Sequence, residues 1–135
     1  MKRILLLIFI VATMTSCEKQ SDLKFSKVIL GGCFLEKTNA GIKSYFLESD
    51  TVIYSIIENN LEIFVGFNAA CCADYSSTAQ IEGDSILIKV TNTSNVSCDC
   101  ICYYTCNFKF TGNGKNYKYT IFIDDQLRFK GLIDL

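Results

Sequence analysis

Four cysteines spaced by even numbers of residues dominate the chemistry available to this sequence. They are Cys98, Cys100, Cys102 and Cys106, in the stretch C-D-C-I-C-Y-Y-T-C. Thiolates bind soft metal ions and exchange with disulfides, and paired thiols form structural bridges. The chain has eight cysteines but no histidine, so the commonest general base in enzymes is missing. We therefore expect neither an enzyme nor a bound cofactor.

The spacing of these cysteines fits a β-strand, in which every second side chain points to the same face. We predict one long strand from Cys98 to Thr111. Its even-numbered face carries the four cysteines with Tyr104, Phe108 and Phe110, while its odd-numbered face is far more polar. The thiols are therefore predicted to point into the core.

Neighbours on one face of a strand lie roughly 6.5–7 Å apart, whereas the Cβ atoms of a disulfide lie about 3.5–4.5 Å apart. The strand cysteines therefore need partners elsewhere, and Cys33, Cys71 and Cys72 are the candidates. Because a bridge between adjacent residues is sterically awkward, we predict that Cys71 and Cys72 bond to two different cysteines among the first three of the strand. Three partners for four strand cysteines leave at least one thiol unpaired.

Two other interpretations of the same residues stay open. A thiolate site for Cu(I) or Zn could use Cys71, Cys72, Cys98, Cys100 and Cys102, although this spacing is unusual for structural zinc. A thiol–disulfide catalyst is a weaker alternative, because the sequence contains no C-x-x-C motif.

The N-terminus predicts export and lipidation. Lys2 and Arg3 precede an apolar run from Ile4 to Ala12, which is too short to span a bilayer and is typical of a signal peptide. The following M-T-S-C resembles a loose bacterial lipobox, which implies that Cys17 is acylated and becomes the mature N-terminus. We expect a signal peptide over 1–16, a tether over 17–24 and one β-sandwich domain over 25–135.

The predicted location is the bacterial cell envelope, at the outer membrane on its periplasmic or its surface face. Without Lys2 and Arg3 the chain keeps 11 basic and 14 acidic residues, a formal charge of −3. This balance argues against nucleic acid as a partner. We expect membrane contact through the lipid at Cys17, and an envelope protein or a glycan as the binding partner.

The rest of the chain predicts an all-β fold. Alternating apolar residues and turn-forming pairs indicate strands near 51–57, 61–68, 77–82, 85–91, 116–124 and 127–135, with earlier strands in 25–35 and 42–48. Seven or eight short antiparallel strands favour a disulfide-stapled sandwich after an N-terminal signal helix, with a small barrel as the alternative.

Over residues 51–124 the order of motifs resembles a group of uncharacterised small cysteine-rich lipoproteins of the Bacteroidota. The motifs are G-F-N-A-A-C-C, I-E-G-D-S-I-L-I, C-D-C-I-C-Y-Y and N-Y-K-Y-T-I-F-I. The resemblance implies fold and location but no chemistry. Its shared positions would be Cys71, Cys72, Cys98, Cys100, Cys102 and Tyr104. Cys33 and Cys106 fall outside this shared set and are predicted to pair with each other as an extra bridge.

Overall fold

The computed structural model describes residues 23–34, 37–38, 41–42, 49–112 and 116–134. The predicted all-β sandwich is confirmed, with two sheets of four strands each. The predicted signal peptide, Cys17 and most of the strand expected over 42–48 lie outside the described residues. Within the described ranges no helix is long and apolar enough to cross a membrane.

The described residues form ten strands. In chain order the strands are β1 (Lys24–Phe34), β2 (Lys37–Thr38), β3 (Gly41–Ile42), β4 (Thr51–Ile57), β5 (Asn60–Ala70), β6 (Tyr75–Glu82), β7 (Ser85–Asn92), β8 (Ile101–Thr111), β9 (Tyr117–Ile123) and β10 (Gln126–Ile133). One sheet has the order β1-β8-β5-β4, the other has the order β10-β9-β7-β6, and β2 and β3 form a short pair of their own.

The core lies between the sheets and follows the alternation of the sequence. Each central strand buries every second side chain, because successive residues of a strand point to opposite faces. The largest fully buried side chains are Phe67, Phe108, Phe110, Ile63, Ile86, Ile88, Ile121, Ile123 and Ile133. They come from β5 and β8 on one side and from β7, β9 and β10 on the other.

One strand pair departs from the predicted antiparallel arrangement. β7 and β9 run parallel, with Ile88 opposite Ile121, whereas every other pairing among the described strands is antiparallel. Between them the chain crosses to the other sheet as β8 and then returns. Two crossings bring β9 back in the direction of β7.

The strand that carries the cysteines begins later than predicted. β8 starts at Ile101, so Cys98 and Cys100 lie in the preceding loop rather than in the strand. Cys100 is exposed and Cys98 is half-buried, while Cys102 and Cys106 face the core as expected.

The first strand also differs from its prediction. β1 begins at Lys24, inside the segment predicted as tether.

A candidate binding cleft beside three disulfides

The register between β5 and β8 explains how the first bridge forms. Ala69 lies opposite Cys102 and Ala70 opposite Ile101, so one further step places Cys71 opposite Cys100. The backbone N–H of Cys71 donates a hydrogen bond to the carbonyl oxygen of Cys100 at 3.0 Å. The two residues form a disulfide with Cα atoms 5.4 Å apart, within the usual range for such bonds.

A second bridge lies immediately beside the first. Cys72 is bonded to Cys98, with Cα atoms 6.2 Å apart, and it ties the turn after β5 to the loop before β8. Cys71 and Cys72 thus bond to two different cysteines among Cys98, Cys100 and Cys102, as the awkwardness of a bridge between neighbours predicted.

The third bridge corrects the expected pairing of Cys33 with Cys106. Cys33 is bonded to Cys102, with Cα atoms 5.3 Å apart. In the register between β1 and β8, Leu30 rather than Cys33 lies opposite Cys106. The register shifts between Gly31 and Phe34, at the part of β1 that carries Cys33. Strand pairing therefore decides the partner of Cys33, and no pattern in the sequence indicated it.

Cys106 is the free cysteine of the described residues. It lies opposite Val65 on β5 and is 2% exposed. Burial raises the pKa of the Cys106 thiol to about 12, because a thiolate would lose its hydration there. The leftover thiol is therefore a neutral core side chain rather than a reactive group.

The three bridges gather at one end of the sandwich, and an open cleft of about 300 Å³ lies beside two of them. Its walls come from the end of β1, from the turn after β5 and from the core face of β8. The lining residues are Leu30, Gly31, Gly32, Cys33, Cys71, Ala73, Asp74, Tyr75 and Tyr104. Cys33 and Cys71 therefore place a bridge in each of two walls.

Two tyrosines form the aromatic part of this cleft. The rings of Tyr75 and Tyr104 meet edge to face with centroids 5.1 Å apart, and both contact Phe67. The hydroxyl of Tyr104 donates to the carbonyl oxygens of Ala70 and Ala73 at 3.0 and 3.1 Å. Burial raises the pKa of both tyrosines above the ordinary value, so neither hydroxyl is a base at neutral pH.

Asp124 holds Tyr75 of the cleft from a turn of the same sheet. Its carboxylate accepts hydrogen bonds from the backbone N–H of Asn92 at 2.7 Å and from the Tyr75 hydroxyl at 3.4 Å. The aspartate sits in the turn between β9 and β10, where Asp124 and Asp125 have φ values of 50° and 60°. Tight hairpin turns of this kind need such left-handed residues, and aspartate tolerates them well. The sequence indicated the turn, but not that its first aspartate positions Tyr75.

The residues of the predicted metal site meet only in part. The sulfur atoms of Cys71, Cys98 and Cys100 all lie within 4.8 Å of one another. Cys72 is not in this group, and Cys102 is fully buried in its bridge to Cys33. Because the three clustered sulfurs belong to disulfides, they offer thiolates to a soft metal only after reduction.

Comparison of the chain with protein-family models, with curated proteins and with solved structures finds no match. The resemblance to lipoproteins of the Bacteroidota, like the lipid anchor itself, stays a prediction. The cleft and the cysteines are the features of this chain that bear on its function.

Proposed function

We propose that this chain is a lipid-anchored module of the bacterial cell envelope that binds an envelope protein or glycan in the cleft beside its disulfides. The observation that carries this proposal is the open cleft of about 300 Å³ with bridged cysteines in two of its walls. Bridges hold walls from separate strands in place before a ligand arrives. Less conformational entropy is then lost on binding, and affinity rises.

The lipid anchor rests on the N-terminal sequence and agrees with the bridges. Disulfides persist in oxidising compartments, which include the envelope but not the bacterial cytoplasm. Acylation of Cys17 with more than one chain would hold the protein firmly, since a single chain binds a membrane only marginally. The proposed site of action is the outer membrane, on its periplasmic or its surface face.

Binding fits the chemistry of the cleft better than catalysis does. Asp74 is the one carboxylate among the lining residues, and both tyrosine hydroxyls stay protonated at neutral pH. The chain has no histidine that could act as a general base. We therefore infer that the protein recognises its partner and does not transform it.

Filling the cleft tests this proposal. A Cβ added at Gly32 meets no other atom within 4 Å, so Gly32→Phe should add a ring to the cleft wall without disturbing the fold. After mild cross-linking of intact cells, we expect the wild type to co-purify with a partner and Gly32→Phe to lose it.

The matched control is Thr78→Phe, which places the same ring on an exposed position of β6 away from the cleft. This variant should keep the partner. Equal recovery of the partner with both variants would place the binding surface elsewhere on the protein.

The anchor has its own test. Cys17→Ser should move the protein from the membrane fraction to the soluble fraction and abolish labelling by a fatty acid, because the acylated sulfur is gone. Protease treatment of intact cells then distinguishes the surface face from the periplasmic face. Unchanged membrane association of Cys17→Ser would contradict the lipid anchor without affecting the cleft.

The close approach of three sulfurs supports a second candidate function, a thiolate site for Cu(I) or Zn. After reduction, Cys71, Cys98 and Cys100 would offer a soft three-ligand set. Elemental analysis and thiol titration of protein purified without reductant separate the two functions. The binding module has one free thiol, Cys106, and no metal, whereas the metal protein has stoichiometric copper or zinc and loses it in Cys100→Ser.

A further inference from the structure

Two disulfides of this protein lie close enough for a thiolate released from one to attack the other. The sulfur of Cys71 is bonded to Cys100, yet it lies 3.5 Å from the sulfur of Cys98, which is bonded to Cys72. Disulfide exchange occurs when a thiolate attacks a bonded sulfur, and reacting atoms about 3–3.5 Å apart are already near the geometry of attack.

We propose that Cys71, Cys72, Cys98 and Cys100 form a thiol–disulfide exchange site, in which Cys98 changes its partner from Cys72 to Cys71 when an external dithiol opens the bridge between Cys72 and Cys98. The substrate class is a reduced dithiol, either a small molecule or a protein. The products are two thiols on this chain, at Cys72 and Cys100, together with a new bridge between Cys71 and Cys98 and the disulfide form of the reagent.

The first step consumes the dithiol. One of its thiolates attacks the sulfur of Cys72, so that a mixed disulfide forms and the bond to Cys98 breaks, leaving Cys98 as a thiolate. The second thiol of the reagent then closes the reagent's own disulfide and releases Cys72, which takes a proton from water. Two electrons have passed from the dithiol to the chain.

The second step stays within the chain. The thiolate of Cys98 attacks the sulfur of Cys71, the bond between Cys71 and Cys98 forms, and the bond to Cys100 breaks. Cys100 leaves with the electron pair and takes a proton from water. No further oxidant or reductant is needed, because one disulfide is broken for each disulfide formed.

The surroundings of the sulfurs favour the change of partner of Cys98 from Cys72 to Cys71. The backbone N–H of Cys72 donates to the sulfur of Cys98 at 3.1 Å, an interaction that would stabilise a thiolate on Cys98. Cys100 is exposed, so its departing thiolate is hydrated at once. Three described cysteines remain outside this site: Cys102 and Cys106 are buried in the core, and Cys33 is bonded to Cys102.

Limited reduction of the wild-type protein is the direct test. The mature protein is treated with a limiting amount of dithiothreitol, free thiols are alkylated in acid-quenched samples, and the bridges are mapped by peptide mass spectrometry. We expect alkylated Cys72 and Cys100 together with a new bridge between Cys71 and Cys98. Alkylated Cys72 and Cys98 with the bridge between Cys71 and Cys100 intact would overturn the proposal.

A pair of single substitutions tests the same exchange without a reductant. In Cys72→Ser the thiol of Cys98 has no partner, and we expect it to capture Cys71 and to leave Cys100 free. In the matched variant Cys98→Ser the leftover thiol is Cys72, which is not part of the three-sulfur group, so the bridge between Cys71 and Cys100 should persist.

The asymmetry between the two variants is the decisive readout. Intact bridges between Cys71 and Cys100 in both variants would contradict the exchange, as would loss of that bridge in both. If either variant does not fold, limited reduction of the wild type decides the question. None of these outcomes depends on whether the cleft binds a partner.

Discussion

The hydroxyl of Tyr104 on β8 donates a hydrogen bond to the carbonyl oxygen of Ala73, 3.1 Å away at the end of the turn that contains Cys71 and Cys72. Ala73 and Tyr104 are both buried. A core side chain of one strand thus holds the backbone beside the turn that carries two bridged cysteines. This hydrogen bond links the core to the end of the sandwich that contains the bridges.

Removal of that hydroxyl should loosen the turn. We expect Tyr104→Phe to lower the free energy of unfolding by about 1 kcal/mol, since the ring still fills its place but the buried carbonyls lose a donor. The bridges at Cys71 and Cys72 should also be reduced faster. The control is Tyr75→Phe, whose 3.4 Å hydrogen bond to Asp124 is exposed and should matter less. Equal effects of both variants on the reduction rate would contradict this role of Tyr104.

Cys106 should make the fold sensitive to alkali. Burial raises the pKa of this thiol from 9.0 to about 12. Between these values the unfolded chain has released the proton and the native chain has kept it, so stability declines as pH rises. This thiol leaves the free energy of unfolding unchanged below pH 9.0. From there to about pH 12 the free energy of unfolding falls by about 1.4 kcal/mol per pH unit.

Denaturation curves of the wild type and of Cys106→Ala, measured on either side of pH 9.0, test this sensitivity. The variant should lack the additional alkaline loss. Peptide mapping must show the three bridges unchanged in both proteins, because free thiolates also catalyse disulfide exchange. In the native wild type below pH 9.0, Cys106 should resist alkylation until the protein is denatured. Rapid alkylation of native protein would show that this thiol is accessible.

Gly66 on β5 should not tolerate a side chain. A Cβ at this position would overlap the ring of Tyr103, which covers the glycine from the adjacent strand β8. We expect Gly66→Ala to lower the free energy of unfolding by about 1–3 kcal/mol through overpacking. In the background of Tyr103→Ala the same substitution should cost much less, and a double-mutant cycle measures this difference.

Gly32→Ala is the control for that cycle, because a Cβ at Gly32 meets no atom within 4 Å. It should change the free energy of unfolding by less than about 0.5 kcal/mol. A similar cost at Gly32 and Gly66 would mean that loss of glycine itself, rather than contact with Tyr103, is responsible.

The bridge between Cys33 and Cys102 should contribute the most stability of the three. It closes 69 residues of chain, against 29 and 26 for the other two, so it removes the most freedom from the unfolded state. We expect the double substitution of Cys33 and Cys102 by alanine to cost about 4 kcal/mol.

The comparison protein is the double alanine variant of Cys72 and Cys98, whose bridge closes the shortest loop. Thermal unfolding of both should show the larger fall in melting temperature for the variant without the Cys33 bridge. Part of that loss comes from β1, an edge strand whose backbone pairs with β8. The reverse order of melting temperatures would contradict the loop-length argument.

The local pattern of the sequence was enough to predict the eight strands of the two four-stranded sheets and the buried face of β8. Period-two alternation predicted that Phe108, Phe110 and Cys102 face the core, and all three are buried there. Alternation depends on residues that are close in the chain, so it can be read without knowing the partners of a strand. The same reasoning extended β8 too far, to Cys98, because loop residues can continue an alternating pattern by chance.

The number and spacing of the cysteines also predicted part of the bridging. Same-face neighbours between Cys98 and Cys106 are too far apart to bond to one another, one thiol of the described residues has no partner, and Cys71 and Cys72 bond to different cysteines. Only the tertiary structure decided the pairs. The register between β5 and β8 places Cys71 opposite Cys100. The pairing of β1 with β8 places Cys33 within bonding distance of Cys102 rather than Cys106.

The sequence by itself predicted the β-sandwich and separate partners for Cys71 and Cys72, and the exported, lipidated chain that it also indicates stays a prediction. The parallel pairing of β7 with β9, the cleft beside the bridges and the approach of Cys71 to Cys98 came from the tertiary structure alone. The physical reason is one of range. Alternation is a property of neighbours in the chain, whereas register, sheet order and sulfur–sulfur distances depend on segments that meet only when the two sheets pack.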